Sequence, residues 1–284
     1  MVLKLRNFQF DLEERALVMG ILNRTEDSFF DHGEYFELGV FLRRAEQIVA
    51  EGADILDIGG VKAGPGPEIS EAEELDRVVP AVELLRDRFD IPLSVDTWNA
   101  RVIDEAMSAG ASLGNDISGF ASPGYLENVS KHEGAVVATH IRLVPRLADP
   151  NPVYQDLKGE VRQFLADRVE RALKAGVRRE SILVDAGFDL GKTTSQSMEL
   201  LLSTDELGQL GYPVLISASN KGFIGEVLGK VVTERRMGSL SAASIAAVKG
   251  AKVFRVHDVA GTRQVLDVIT AIMAGYPPRW LTES

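Results

Sequence analysis

The chain has no cysteine among its 284 residues, which excludes disulfides and thiolate metal sites. Histidine is scarce too: His32, His132, His140 and His257 show no metal-ligand spacing, so no structural zinc site is expected. No apolar run is long enough to span a bilayer, and no N-terminal stretch joins a basic start to an apolar core of signal-peptide length. The expectation is a cytoplasmic protein with no membrane partner. Positive charge is in deficit, 31 Lys and Arg against 42 Asp and Glu, for a net charge of −11. Broad nucleic-acid binding needs a basic face, so no nucleic-acid partner is expected. An anionic ligand would need positive charge gathered locally against that background.

What the chain does have is a recurring unit. Short apolar runs that end in polar residues lie at Ala16–Leu22, Asp54–Gly59, Leu93–Thr97, Leu113–Ile117, Val136–Ile141, Ile182–Gly187, Val214–Ser219 and Val253–Val259, with a helix-like segment between each pair. Strands alternating with helices favour parallel βαβ units, and eight such units can close on themselves. The predicted fold class is therefore α/β, a (β/α)8 TIM barrel forming one domain over residues 1–284. With 45% hydrophobic residues the chain has enough apolar material for one large core. Phe8-Gln9-Phe10 alternation within residues 1–15 predicts a hairpin or strand plugging the barrel floor. Ser70-Glu71-Ala72-Glu73 opens one predicted helix, Asp156 to Lys174 forms another, and Thr262 to Met273 closes the barrel before Pro277-Pro278.

Barrel active sites sit at the carboxyl ends of the strands. Asn23, Asp57, Asp96, Asn115, His140, Asp185, Lys221, Arg255 and His257 should then share one mouth. Gly187 to Thr193 imitates a P-loop but has three residues between its glycines where that motif needs four, so Lys192 is read as a loop tie. The glycines at 59, 60, 64 and 66 serve turn geometry or cradle a phosphate. Asp96, Asn115 and Asp185 end three different strands. Each alone could cap the next helix, but carboxylates facing a cleft are costly unless hydrogen-bonded. Two of them beside an amide, with Lys221 opposite, suit a flat heterocycle presenting ring N–H and amino donors.

On these motifs the sequence resembles dihydropteroate synthase from Val18 to the end of the closing helix. The carriers are M-G-I-L-N at Met19–Asn23 followed by Asp27-Ser28-Phe29, D-I-G-G at Asp57–Gly60, S-V-D-T at Ser94–Thr97 and N-D-I-S-G at Asn115–Gly119. D-A-G-F-D-L-G-K-T at Asp185–Thr193, S-N-K at Ser219–Lys221 and R-V-H-D-V at Arg255–Val259 complete the series. By resemblance, Asp96, Asn115, Asp185 and Lys221 bind a pterin, and Asn23, Arg255 and His257 bind its diphosphate, with Asn23 also holding Mg²⁺. Asp31 and Lys221 are the implied catalytic residues, Asp31 helping to stabilise the cationic pterin left when diphosphate departs. Phe29, Pro65 and Gly222 lie on the acceptor side, where p-aminobenzoate adds through its amine and where sulfonamide or sulfone analogues compete. A homodimer is implied as well.

The chain departs from that pattern in its loops. Val61-Lys62-Ala63-Gly64-Pro65-Gly66 stands where the family has Glu-Ser-Thr-Arg-Pro-Gly. Arg24, Glu26 and Phe30 alter the first loop, Thr139 replaces a methionine, and Ala186, Asp189 and Leu190 replace proline, glycine and phenylalanine. Gly222 replaces a serine that meets the acceptor carboxylate. A charge-assisted contact to diphosphate contributes about 1.5–3 kcal/mol, so loss of the loop arginine, unless Lys62 or Arg24 replaces it, together with the lost threonine and serine hydroxyls predicts weak or absent standard activity. The expected function is a dihydropteroate-synthase-like protein with weak or no synthase activity. The alternatives are a catalytically silent pterin-binding paralogue, a transferase using another acceptor, and, more remotely, a folate-dependent methyl-transfer barrel.

Overall fold

The computed structural model describes residues 1–23, 34–61 and 69–275, apart from the side chains of 34–37. The chain opens with an antiparallel hairpin of β1 (Val2–Leu5) and β2 (Phe8–Asp11), in which Val2 pairs with Asp11 and Leu5 with Phe8. Eight parallel strands follow: β3 (Leu17–Asn23), β4 (Ile55–Gly59), β5 (Leu93–Asp96), β6 (Leu113–Asp116), β7 (Ala135–Thr139), β8 (Ile182–Asp185), β9 (Leu215–Ile216) and β10 (Val253–Val256). The lateral order is β8-β7-β6-β5-β4-β3-β10-β9. A bridge between Val184 and Val214, with the Val184 N–H donating to the Pro213 carbonyl at 3.0 Å, joins the two ends. The sheet is a (β/α)8 barrel. All eight predicted runs form strands, but several stop short of their predicted carboxyl ends because the backbone there turns into the rim loops.

Side chains alternate across a strand, so every second residue points into the barrel. Leu17, Met19, Ile55, Leu113, Ala135, Val137, Leu183, Leu215 and Val253 pack together inside, and Leu3, Leu5 and Leu12 pack against them from the hairpin at the floor. Residues of opposite parity, among them Val18, Leu56, Val95, Val136, Val184, Ile216 and Phe254, face outward and join the larger core beneath the helices. Two outward positions need glycine for close approach. A β-carbon at Gly20 would lie 2.4 Å from Ile48, and one at Gly114 would lie 2.5 Å from the Tyr125 hydroxyl.

The helices are α1 (Glu34–Ala50), α2 (Glu71–Arg88), α3 (Ala100–Ser108), α4 (Tyr125–Lys131), α5 (Leu157–Lys174), α6 (Thr194–Leu202), α7 (Thr204–Gly208), α8 (Gly222–Leu228), α9 (Arg236–Val248) and α10 (Val259–Ala274). Ser70 caps α2, Asn99 caps α3, Asp156 caps α5, and Thr193 with Gln196 forms a capping box on α6. The closing helix begins at Val259, three residues before the predicted Thr262, because Asp258 is its N-cap and accepts the Gly261 N–H. Among the described residues, no helix is long and apolar enough to cross a membrane.

Candidate active site at the barrel mouth

Along each strand the inward positions change character toward the carboxyl end. Below lie the leucines and valines of the inner core; above them come Asp57, Ser94, Asp96, Asn115, Thr139, Asp185, Ser217 and Arg255. Asp96, Asn115, Ile117, Thr139, Asp185, Gly187, Leu190, Ser217, Lys221 and Arg255 line one cavity. The ring is charged and nearly dry: Asp57 and Asn115 are buried, as are Asp96 and Asp185.

Arg255 organises half of the ring. Its Nε donates to Asp57 Oδ2 and its Nη2 to Asp96 Oδ2, both at 2.6 Å. The Ser94 hydroxyl donates to Asp57 Oδ1, also at 2.6 Å. One guanidinium thus holds two buried carboxylates. Burial nonetheless raises the Asp96 carboxyl to about 7, and Arg255 opposes the shift while Asp57, Glu74 and Asp116 add to it. On the other side, Asp185 Oδ1 accepts the Gly187 N–H at 2.8 Å, and burial raises this carboxyl against that bond and the charges of Lys221, Lys192 and Arg255. Lys221 Nζ donates to the Phe188 carbonyl at 2.7 Å, and burial lowers its pKa against the pull of Asp185 and Asp189. The Thr139 hydroxyl is buried and has no partner among the described residues.

These positions bring together Asp96, Asn115, Asp185, Lys221 and Arg255. None of Asp96, Asn115 and Asp185 caps a helix: Asn99, Gly124 and Thr193 hold the N-cap positions of α3, α4 and α6. His257 stands at the rim of the same mouth, its Nδ1 3.0 Å from the Ser219 hydroxyl. Enclosure by the walls lowers its pKa to about 4, helped by Arg255 and Arg44. The imidazole, open to solvent at the rim, is neutral at neutral pH. Asn23 ends β3, and a β-carbon at the neighbouring Gly59 would lie 2.7 Å from its Oδ1.

His140 does not join them. It has the parity of Val136 and Ala138, so its ring points outward, where it meets Phe164 of α5 edge-on at 4.8 Å between centroids. Its Nδ1 lies 2.8 Å from Lys192 Nζ, which also donates to the carbonyls of Gly187 at 2.9 Å and Leu190 at 3.2 Å. Burial lowers His140 to about 3 and Lys192 to about 7. Lys192 is thus a tie inside the loop after β8. Strand parity, applied from Val137 onward, is the sequence signal that separates His140 from the mouth.

On the outer side of Lys221, Gly222 begins α8, and its N–H donates to Asp189 Oδ2 at 2.5 Å. Phe29, Asp31 and Pro65 lie outside the described residues, as do the substituted loop residues Arg24, Glu26, Phe30, Lys62, Ala63 and Gly64.

The family described as pterin binding enzyme matches residues 19–257 of this chain. Dihydropteroate synthase of Haemophilus influenzae is 44% identical over 252 residues, covering 88% of this chain and 92% of that one. Inactive dihydropteroate synthase 2 of Mycobacterium leprae is 42% identical over 271 residues, covering 93% of each. Among solved structures, Yersinia pestis dihydropteroate synthase in a sulfonamide drug complex superposes with a TM-score of 0.90 at 40% identity, covering 96% of this chain and 99% of that one.

Proposed function

Because this chain belongs to the pterin binding enzyme family, we propose that it holds a reduced pterin diphosphate at the barrel mouth and transfers the pterin to p-aminobenzoate weakly or not at all. The observation that carries the reading is the single cavity that gathers Asp96, Asn115, Asp185, Lys221 and Arg255. Carboxylates and an amide oxygen there would accept from the ring N–H and amino groups, and the lysine would donate to a ring acceptor. In a site this dry each such bond is stronger than in water, and a missing partner costs more.

Transfer requires the bond from the exocyclic carbon to the diphosphate oxygen to break with its electron pair leaving on the oxygen. An amine nitrogen then bonds to that carbon and releases a proton to solvent. Asp96 and Asp185 would hold the ring whose electrons stabilise the cation, with Asp31 assigned to the same task by resemblance. Arg255 and a His257 protonated on contact would meet the diphosphate as charge builds on it. Asn23 suits a metal role modestly: one hard amide oxygen at the rim fits a cation that keeps water and substrate phosphate as most of its ligands. Mg²⁺ bound there would neutralise the departing diphosphate.

The impairment follows from the loops and the acceptor side. Lys62 as a point charge cannot reproduce the bidentate fork of an arginine, and Gly222 offers no hydroxyl. A fully silent pterin-binding role is the second reading, supported by the relative from Mycobacterium leprae that bears the word inactive in its name. One experiment separates them: titrate pterin diphosphate with and without Mg²⁺, then assay product with p-aminobenzoate in the same sample. Binding with slow product supports the first reading, and binding without product the second. Absence of binding at millimolar ligand refutes both, and synthase turnover of about 0.1–10 per second refutes impairment. Sulfonamide and sulfone binding should be weak for the same acceptor-side reasons.

We also propose a homodimer. Helices α8, α9 and α10 and the turn between α8 and α9 expose Val227, Val231, Val232, Met237, Val248 and Ile272, large apolar side chains that a second copy would cover. Light scattering should give twice the chain mass of 30.9 kDa at micromolar concentration. Val232→Glu with Met237→Glu should return it to the monomer mass with the fold intact by circular dichroism; a monomeric wild type would refute the dimer.

A further inference from the structure

We propose, on the strength of the diphosphate-binding reading above, that Ser219 is a positioning residue: it fixes the neutral His257 ring with its hydrogen on Nε2 and so offers that N–H to the diphosphate. Ser219 follows β9 and His257 follows β10, and barrels of this kind gather phosphate at the loops after their last two strands. The Ser219 hydroxyl oxygen accepts the His257 backbone N–H at 3.2 Å and lies 3.0 Å from Nδ1 of the same residue. A hydroxyl has one hydrogen to give. The charged groups that bear most on His257 are Arg255 and Arg44, both cations, and neither can accept it. Asp258 is engaged elsewhere, its Oδ1 accepting the Gly261 N–H at 3.1 Å and its Oδ2 paired with Arg236 at 2.7 Å. Among the described residues, the acceptor left for the Ser219 hydrogen is His257 Nδ1.

The bond made by one imidazole nitrogen decides the state of the other. With Nδ1 accepting, the ring hydrogen of the neutral imidazole sits on Nε2. His257 is exposed, so the edge away from Ser219, which carries Nε2, is the one left to a ligand. An arriving phosphate oxygen then meets a donor where the other tautomer would present a lone pair. When solvent protonates the ring on contact, the proton enters at Nδ1, and Ser219 turns from donor to acceptor without the ring moving. The serine is itself held in place. The N–H of the next residue, Asn220, donates to Ser239 Oγ at 2.9 Å, and Arg235 Nη1 donates to the carbonyls of Asn220 at 2.9 Å and Lys221 at 3.2 Å. These bonds tie the loop after β9 to the start of α9, so Ser219 sets the imidazole rather than following it.

The test uses the full chain with isotope-labelled histidine. Nitrogen NMR at pH 8, with His257→Gln to identify the His257 signals, should show Nδ1 bare and Nε2 protonated in the wild type. Ser219→Ala should give a mixture of both tautomers, and Ser219→Thr, which keeps a hydroxyl, should restore the single one. Calorimetry with inorganic diphosphate and Mg²⁺ then reads the consequence. Ser219→Ala should weaken binding about three- to tenfold, the usual cost of ordering one side chain on binding, and Ser219→Thr should stay within about twofold of the wild type. In a His257→Gln background Ser219→Ala should cost nothing further. A wild type with its ring hydrogen on Nδ1, or the same single tautomer in Ser219→Ala, overturns the proposal. So does an equal loss of diphosphate affinity in the His257→Gln background, which would mean that the hydroxyl touches the anion itself. A wild type that shows the expected tautomer, turned to a mixture by Ser219→Ala, but binds no diphosphate refutes the diphosphate reading above and leaves the hold of Ser219 on His257 standing.

Discussion

Arg255→Met is expected to lower stability by about 3–5 kcal/mol, the usual cost of removing one partner from a buried ionic group. The side chain is 15% exposed and its two partners are nearly or fully buried, so solvent screens the cluster little. Each carboxylate would keep its desolvation cost and lose its cation. In a chain of this size the change corresponds to a fall in Tm on the order of 10 °C. The same substitution in an Asp57→Asn, Asp96→Asn background should cost far less, because no buried charge is stranded. The pH dependence has a definite sign. Asp96 is raised to about 7 in the fold, so it binds a proton more readily folded than unfolded. The stability it contributes is fully present below its unfolded pKa of 3.8 and is lost as pH rises toward about 7. The penalty of Arg255→Met should therefore be smaller at pH 5 than at pH 8. Urea denaturation at both values decides the matter, and a loss under 1 kcal/mol at pH 8 would show that Arg255 does not hold the pair.

The barrel was legible because its signal is carried many times over. Eight apolar runs, each bounded by polar residues and separated by helical segments, leave few other folds available, and the strands follow. Parity within the strands goes further than strand count. Asn23, Asp57, Asn115, Asp185, Arg255 and His257 lie in register with inward-facing apolar residues, and Asp96 with Ser94, whereas His140 lies one residue out of phase and packs against Phe164. Side-chain partnerships beyond the strands were not legible. That Arg255 joins Asp57 to Asp96 depends on three strands distant in sequence being placed side by side around a closed circle. That Asp189 meets Gly222 depends on the β8 loop folding over the start of α8, which is fixed partly by Lys192 reaching the carbonyls of Gly187 and Leu190.

Pterin affinity should depend on the same carboxylates in two separable ways. Arg255 holds Asp96 Oδ2, which leaves Oδ1 for a ring N–H, and that oxygen accepts best when the group is ionised. Affinity for 6-hydroxymethyl-dihydropterin, a ligand without the diphosphate, should therefore rise with pH through about 7, where Asp96 releases its proton. Asp96→Asn should flatten that rise, since the amide has no charge to lose, and should bind more weakly above pH 7. Asp185→Asn should weaken binding by roughly ten- to a hundredfold, the equivalent of a charged hydrogen bond lost in a buried site, while preserving the rise because Asp96 is intact. Asp185 also anchors the Gly187 N–H, so its variant must be shown by thermal melting to keep the β8 loop in place before the loss is assigned to the ligand. Fluorescence titration of the three proteins from pH 5.5 to 8.5 measures both effects together. Affinity that falls as pH rises in the wild type, with the trend abolished by Asp96→Asn, would mean that Asp96 engages the ring as a protonated donor, reversing its role in recognition while keeping its place in the site.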